Sequence, residues 1–221
     1  MIGMKSKLLC LHGFAGSSDD FGFLADDFDI IAPNLDELVS LEFEELKHRI
    51  LIDHCNDQEV DVLGYSFGGR LAARLKIAAP SQIKHTIICS SHMGHKKVPQ
   101  ARIDLERSIV SKLDSMDKED FFTFWNALDL FRYDEKSYGS NASLDILKLY
   151  FTNYGQSIQP YLIDDLMKLK NEITFVFGLK DKKYCDYANE SLIGFNLEFI
   201  SSGHRILQNQ EAILDLLKVL L

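Results

Sequence analysis

The residues best suited to chemistry lie in one stretch, Gly64-Tyr65-Ser66-Phe67-Gly68-Gly69-Arg70. The serine sits in a G-x-S-x-G pattern, after the apolar run Val60-Asp61-Val62-Leu63 and before the helical pattern Leu71-Ala72-Ala73. Strand, tight turn and helix in that order make a nucleophile elbow, a strained turn that lifts a hydroxyl above the end of a sheet. Glycine is needed at 64 and 68 because a side chain there would crowd the approaching strand or helix. The helix that follows aims its free N–H groups and positive dipole end at the same spot. A glycine-rich phosphate cradle is the competing reading, but no Lys-Ser/Thr pair follows as a P-loop requires.

A serine hydroxyl reacts only when an imidazole takes its proton and a carboxylate orients that imidazole. Asp181 and His204 each follow a predicted strand, and carboxyl-end loops of a parallel sheet converge on one edge. Ser66, Asp181 and His204 therefore form the candidate catalytic set, with Asp186 the nearest substitute for the acid. His12, in the loop after the first strand, is expected to brace the oxyanion hole rather than act as base. His48 and His54 fall on a surface helix, and His85 begins a strand. His95 suits a simple loop role, while His92 is placed equally well for a loop or a pocket wall. The oxyanion donors expected are the backbone N–H groups of Phe67 and Phe14, each worth about 10²–10³ in rate at such a site.

These groups need a frame. Apolar β-type runs predict six strands, at Lys7–Leu11, Phe28–Ala32, Val60–Leu63, His85–Cys89, Ile173–Phe177 and Leu197–Ile200. Helices are predicted from an N-cap at Ser40 through about Cys55, from Phe67 to Ala79, and from Gln210 to Leu221. Between the fourth and fifth strands the periodicity is helical only, with candidates at Val98–Leu113, Lys118–Phe131, Ser143–Phe151 and Ile163–Leu169. The expected fold class is α/β, one domain over residues 1–221, with a mostly parallel six-stranded sheet and helices on both faces. A helical lid insertion at about 96–170 should cover the carboxyl ends of the strands.

Composition narrows the partners. The 221 residues are 46% hydrophobic and 26% charged with a net charge of −9, which argues against general nucleic-acid binding but leaves room for an anionic small substrate. The four cysteines, Cys10, Cys55, Cys89 and Cys185, show no metal-ligand spacing and read as reduced thiols of a cytoplasmic protein. No apolar run approaches ~20 residues, and no signal-peptide pattern opens the chain. The expectation is a small-molecule substrate, no nucleic acid, no membrane, no metal, and a monomer or homodimer.

The chain resembles the α/β-hydrolase superfamily over nearly its whole length. Within it, the chain is most similar to the family of 2-succinyl-6-hydroxy-2,4-cyclohexadiene-1-carboxylate synthases of menaquinone biosynthesis. The matching residues are Leu11-His12-Gly13-Phe14-Ala15-Gly16-Ser17 and Gly64 through Ala72, then Ala101-Arg102 with Glu106-Arg107. Phe121, Trp125 and Phe131 follow, then Gly178 with Asp181, Lys183-Tyr184, and Gly203-His204. The short N-terminal lead-in also suits that family. The resemblance implies a lyase without metal or cofactor, whose triad drives loss of pyruvate from a cyclohexene tricarboxylate. It implies that Arg70 and Arg102 bind carboxylates bidentately and that Tyr65 and Trp125 shape the pocket; Lys183, among the matched residues, and His92, from its place in the loop after the fourth strand, complete the expected substrate-binding set. Arg70 is also readable as a surface cation, Arg102 and Arg107 as a solvated lid face, and Trp125 as lid core. The chain departs from the family in reading Gly203-His204-Arg205-Ile206, in having Ser91-His92-Met93-Gly94 near a family Pro-Gly, and in offering no further lid arginine between Tyr133 and Lys170. The alternative chemistry is a small-molecule carboxylesterase or thioesterase with Ser66 as acyl nucleophile. A silent binding protein on this fold is disfavoured because Ser66, Asp181, His204 and both glycine loops are intact.

Overall fold

Strand alternation decides which face of a sheet each side chain covers. In the computed structural model, which describes residues 5–134 and 139–221, β1 (Lys7–Leu11) sends Leu9 and Leu11 to one face and Leu8 and Cys10 to the other. The other strands are β2 (Asp29–Ile31), β3 (Val60–Tyr65), β4 (Ile83–Cys89), β5 (Ile173–Gly178) and β6 (Asn196–Ile200). They form one sheet in the order β2-β1-β3-β4-β5-β6, with every pairing parallel. All residues of central β3 are buried, as a strand covered on both faces requires.

The helices supply that cover. They are α1 (Phe43–His48), α2 (Phe67–Ala78), α3 (Gln100–Ser115), α4 (Lys118–Asn126), α5 (Leu144–Thr152), α6 (Ile163–Leu166), α7 (Lys182–Ser191) and α8 (Gln210–Leu220). Leu71, Ala72 and Leu75 of α2 pack with Leu9, Val60 and Val62. Ile213 and Leu217 of α8 pack on the opposite face with Leu8, Cys10 and Leu63. Helices α3 to α6 form the insertion between β4 and β5. Phe121, Phe122, Ile109, Leu113 and Leu147 make its own small core, which also takes in Ala15 and the Phe14 ring from the loop after β1. Tyr150 and Tyr154 instead join the main core beside Phe67. The insertion is thereby bolted to the carboxyl edge of the sheet at several points. Among the described residues no helix is long and apolar enough to cross a membrane.

Several local expectations are corrected. Ser40 does not cap α1: Glu42 is the N-cap, in extended conformation and without a side-chain cap bond. The helix continues from Arg49 to His54 as a π-helix. The predicted helix Lys118–Phe131 stops at Asn126, because Leu128 is extended (φ −61°, ψ 139°), and Asp129–Phe131 is a separate 3₁₀ turn. Helix α6 gives way after Leu166 to a 3₁₀ run from Met167 to Glu172. Helix α7 has no counterpart in the sequence reading, although Tyr184, Ala188 and Leu192 repeat at the helical spacing and all are buried.

Because β2 lies on one side of β1 and β3 on the other, the chain reverses direction in the sheet between β1 and β3, where open α/β sheets form a crevice. The two backbones there nearly touch: a Cβ on Gly68 would lie 2.0 Å from the Leu11 carbonyl oxygen and 2.6 Å from that of His12. Gly68→Ala should therefore lower the unfolding free energy by about 1–3 kcal/mol. Urea denaturation checks this, and an unchanged midpoint would show that β1 and α2 are not in contact.

Candidate active site

Ser66 has φ 51° and ψ −107°, a region that costs a non-glycine residue about 1–3 kcal/mol and persists only where its surroundings enforce it. The enforcement is visible. Ser66 N–H donates to the Cys89 carbonyl at 2.8 Å, and the Ser91 hydroxyl donates to the Ser66 carbonyl. A Cβ on Gly64 would lie 2.5 Å from the Gly68 carbonyl oxygen, so strand and helix are pinched around the serine. As first residue of α2, Phe67 presents an amide with no intrahelical acceptor.

Asp181 and His204 are both buried and joined, His204 Nδ1–H donating to Asp181 Oδ2 at 2.7 Å. The other carboxylate oxygen, Oδ1, accepts from Tyr184 N–H at 3.3 Å, so Asp181 is also the N-cap of α7. A proton held on Nδ1 leaves Nε2 as the acceptor. The Tyr184 and Phe131 rings flank the imidazole, with centroids at 4.8 and 5.8 Å. Ser66 and His204 line one cleft of about 100 Å³ together with Phe14, Phe67, Arg70, Arg102, Trp125 and Lys183. Among the described residues no hydrogen bond yet links Ser66 to His204; catalytic hydrogen bonds in empty sites often tighten only on ligand binding.

His12 is a brace, as expected. Its Nδ1–H donates to the Gly13 carbonyl at 2.9 Å and its Nε2 accepts from Leu35 N–H at 2.9 Å, so both nitrogens are engaged by backbone. Burial lowers its pKa and keeps it neutral. The next aromatic, Phe14, is clamped by the insertion, its ring 4.6 Å from Trp125 and 5.0 Å from Phe151. Trp125 thus serves at once as core of the insertion and as cleft wall.

Arg70, one turn past Ser66, reaches the cleft, and among the described residues no carboxylate lies within ion-pair distance of it. Its Nη1 donates to the Tyr154 carbonyl at 2.6 Å and to Gln159 Oε1 at 3.1 Å. Its Nε and Nη2 have no protein partner among the described residues. Burial depresses its pKa to about 10. Arg102 lies 4.0 Å from Glu106 Oε1, but Glu106 is taken up by the loop after α5. It accepts from Gln156 N–H at 2.8 Å, from Ser157 N–H at 3.0 Å and from the Ser157 hydroxyl. Burial and neighbouring Arg102 lower the pKa of Lys183.

Two expected pocket residues lie elsewhere. Tyr65 alternates with Gly64 and so points to the opposite face of the sheet, into the cluster of Cys10, Phe21 and Cys89. There its ring supports Gly13, whose added Cβ would meet Tyr65 Cε1 at 2.8 Å. His92 lines a neighbouring chamber rather than the cleft. Arg107 is exposed on α3. Sequence reasoning missed Gln156, Tyr150 and the Tyr184 ring as cleft wall. It also missed Arg205, which is buried beside His204. The Arg205 guanidinium lies 4.0 Å over the Phe131 ring, Nη2 donates to Asn126 Oδ1, and its N–H donates to Asp134 Oδ1 at 3.0 Å. The loop carrying His204 is thus fastened to the insertion. Among the described residues no group of His, Cys, Asp and Glu is arranged to hold a metal ion.

A parallel six-stranded sheet, a strained serine at the β3–α2 turn and an Asp–His pair after β5 and β6 define the α/β-hydrolase fold. Comparison with known proteins agrees with that fold. The structure of MenH from S. aureus superposes with a TM-score of 0.84 at 20% identity, over 99% of this chain and 94% of that one. A Bacillus subtilis (strain 168) protein provisionally named 2-succinyl-6-hydroxy-2,4-cyclohexadiene-1-carboxylate synthase is 24% identical over 207 residues, 82% of this chain and 76% of its own length. A carboxylesterase structure from Nitrososphaera gargenis superposes at TM-score 0.70 with 13% identity, over 98% and 91% of the two chains. No family model matches the chain.

Buried His12 makes stability pH-dependent. In the unfolded chain His12 takes a proton below about pH 6.5; in the folded chain burial opposes this. The unfolded state then binds more protons, so stability falls as pH drops below 6.5, by about 1.4 kcal/mol per pH unit for a fully buried histidine. His12→Gln should flatten the dependence of the urea midpoint between pH 6.5 and 5. Equal slopes in the variant and the parent would show that His12 titrates freely.

Proposed function

We propose that this protein is a serine-triad enzyme acting as a cofactor-free lyase, which eliminates pyruvate from a cyclohexene tricarboxylate in the manner of the menaquinone-pathway synthases. The observation that carries the reading is Arg70. A guanidinium at the cleft, one turn from Ser66, with free donors and no carboxylate partner, is a costly arrangement unless an anion completes it. Arg102 and Lys183 on the same cleft add to the demand for a substrate with several carboxylates, and guanidinium suits bidentate pairing.

In this mechanism Asp181 holds His204 in the tautomer that frees Nε2, and Nε2 accepts the Ser66 hydroxyl proton. The serine oxygen takes the ring proton of the substrate. The electron pair left behind shifts through the ring and expels the enolpyruvyl oxygen, breaking its C–O bond. The proton on His204 passes to the departing group, which leaves as pyruvate, and Ser66 regains its hydroxyl from the substrate. The Phe14 and Phe67 amides hold the negative charge that builds up on oxygen. Arg70 and Arg102 orient the carboxylates, and Trp125 shapes the apolar wall.

The alternative reading is a carboxylesterase or thioesterase with Ser66 as acyl nucleophile. The aromatic wall of Phe14, Trp125, Phe131 and Phe151 favours it, as does the likeness to an esterase structure. A paired assay separates the two, with pyruvate release from the tricarboxylate in one arm and hydrolysis of a short activated ester in the other. Pyruvate release with kcat/KM of about 10⁴ M⁻¹s⁻¹ or more is expected; ester hydrolysis alone would overturn the lyase reading. Ser66→Ala should abolish turnover in either arm, and retained activity would remove Ser66 from the chemistry. Arg70→Ala should cut kcat/KM for the tricarboxylate by about 10- to 100-fold and affect a neutral ester far less. Equal losses would make Arg70 a structural cation.

A further inference from the structure

Beside the cleft lies a chamber of about 470 Å³, and Arg102, Lys183 and Tyr184 line both. Small-molecule sites usually enclose about 300–1,000 Å³. The chamber, rather than the cleft of about 100 Å³, has room for most of a substrate's bulk.

The loop after β4 brings His92 and His95 to this chamber. Their rings lie against each other, tilted by 37° with centroids 4.1 Å apart, and His92 stacks on Tyr187 at 4.2 Å. The loop itself is pinned: Gln159 Nε2 donates to the His92 carbonyl at 3.3 Å, and Met93 N–H donates to the Tyr187 hydroxyl at 3.0 Å. Yet His92 Nδ1 and His95 Nε2 are buried without a hydrogen-bond partner among the described residues. Buried polar atoms are nearly always paired. Those two atoms are sealed off, but the opposite ring nitrogens, His92 Nε2 and His95 Nδ1, are not, and they too have no hydrogen-bond partner among the described residues, so on these preset rings they are the atoms left for a ligand in the chamber.

The charges around the pair indicate what kind of ligand. Arg102 of α3 and Lys183 of α7 stand in the shared wall, with Arg70 of α2 beyond them. Of the acids, Glu106 is engaged by Gln156 and Ser157, while Asp186 and Glu190 are exposed on α7 at the chamber's outer side. Tyr184 and Tyr187 complete the wall as neutral phenols, burial raising both pKa values. Burial and the surrounding cations push His92 down to about 3 and lower His95. A bound anion would reverse that balance by opposing the cations and favouring the imidazolium.

We propose that the chamber is a second anion subsite, which receives a carboxylate on the substrate arm remote from Ser66 and takes up a proton at the His92–His95 pair as it does so. The identity of that arm's owner rests on the lyase reading; the subsite itself does not. No covalent step is involved, and the proton comes from solvent.

The test uses full-length Ser66→Ala with succinate as probe, a dicarboxylate with no scissile bond, so that turnover plays no part. Ring resonances of His92 and His95, assigned through His92→Phe and His95→Gln, are followed by NMR. Calorimetry in two buffers of different ionisation enthalpy counts protons. Succinate should move both histidines toward their protonated positions and draw net proton uptake at pH 7. Its Kd should rise about tenfold from pH 6 to pH 8, and about tenfold in His92→Phe, which keeps an aromatic ring against Tyr187. Absence of succinate binding, or binding with both histidines unmoved and Kd unchanged in both variants, would overturn the proposal. The two readings fail separately. Histidine shifts without pyruvate release in the parent enzyme would leave the subsite standing and remove the lyase; pyruvate release with an unaltered KM in His92→Phe would do the opposite.

Discussion

Where the end of β1 passes the first turn of α2, two backbones meet with no side chain between them. That approach, set by Gly68 against the Leu11 and His12 carbonyls, fixes the distance between the loop carrying the Phe14 amide and the turn carrying Ser66 and the Phe67 amide. A separation larger by one methyl group would move the two amides apart, and electrostatic stabilisation depends on donors already aimed before charge develops. His12, bonded to Gly13 and to Leu35, keeps one side of the gap from drifting. The pinch of Gly64 against Gly68 keeps the other side in its strained conformation. Tyr65, on the far face of the sheet, fills the space beneath Gly13 and so belongs to the same support.

A second constraint is electrical. Arg70, Arg102 and Lys183 converge on one cleft in a protein whose net charge is −9. Arg70 is held there by a carbonyl and an amide oxygen, neutral acceptors that position a guanidinium without neutralising it. Glu106, the carboxylate nearest Arg102, is occupied in fixing the loop that supplies those acceptors. The positive charge at the cleft is therefore built by the insertion as much as by α2.

Much of this was legible in the chain. The elbow could be read because glycine spacing, an apolar strand and a following helix agree at one place, and Asp181 and His204 because each closes an apolar run. The six strands were readable for the same reason, since a sheet covered on both faces leaves continuous apolar segments. Other features are set by tertiary contact and leave weak local marks. Helix α7 opens with Asp181, Lys182 and Lys183, a charged stretch that reads as loop, and only the spacing of Tyr184, Ala188 and Leu192 betrays it. Tyr65 was assigned to the pocket by resemblance, whereas the two-residue period from Gly64 already sends it to the other face. The glycines gave the elbow away, but the partners of Arg70 lie 84 and 89 residues further along the chain, beyond the reach of any local pattern.

Arg205 gives the molecule one more property. Its guanidinium rests on Phe131 and bonds Asn126, its N–H bonds Asp134, and Phe131 in turn packs on the His204 imidazole. His204 and the insertion are in this way one mechanical unit. A change in the insertion at Phe131 or Asn126 would therefore be felt at the His204 imidazole, which is buried against that ring.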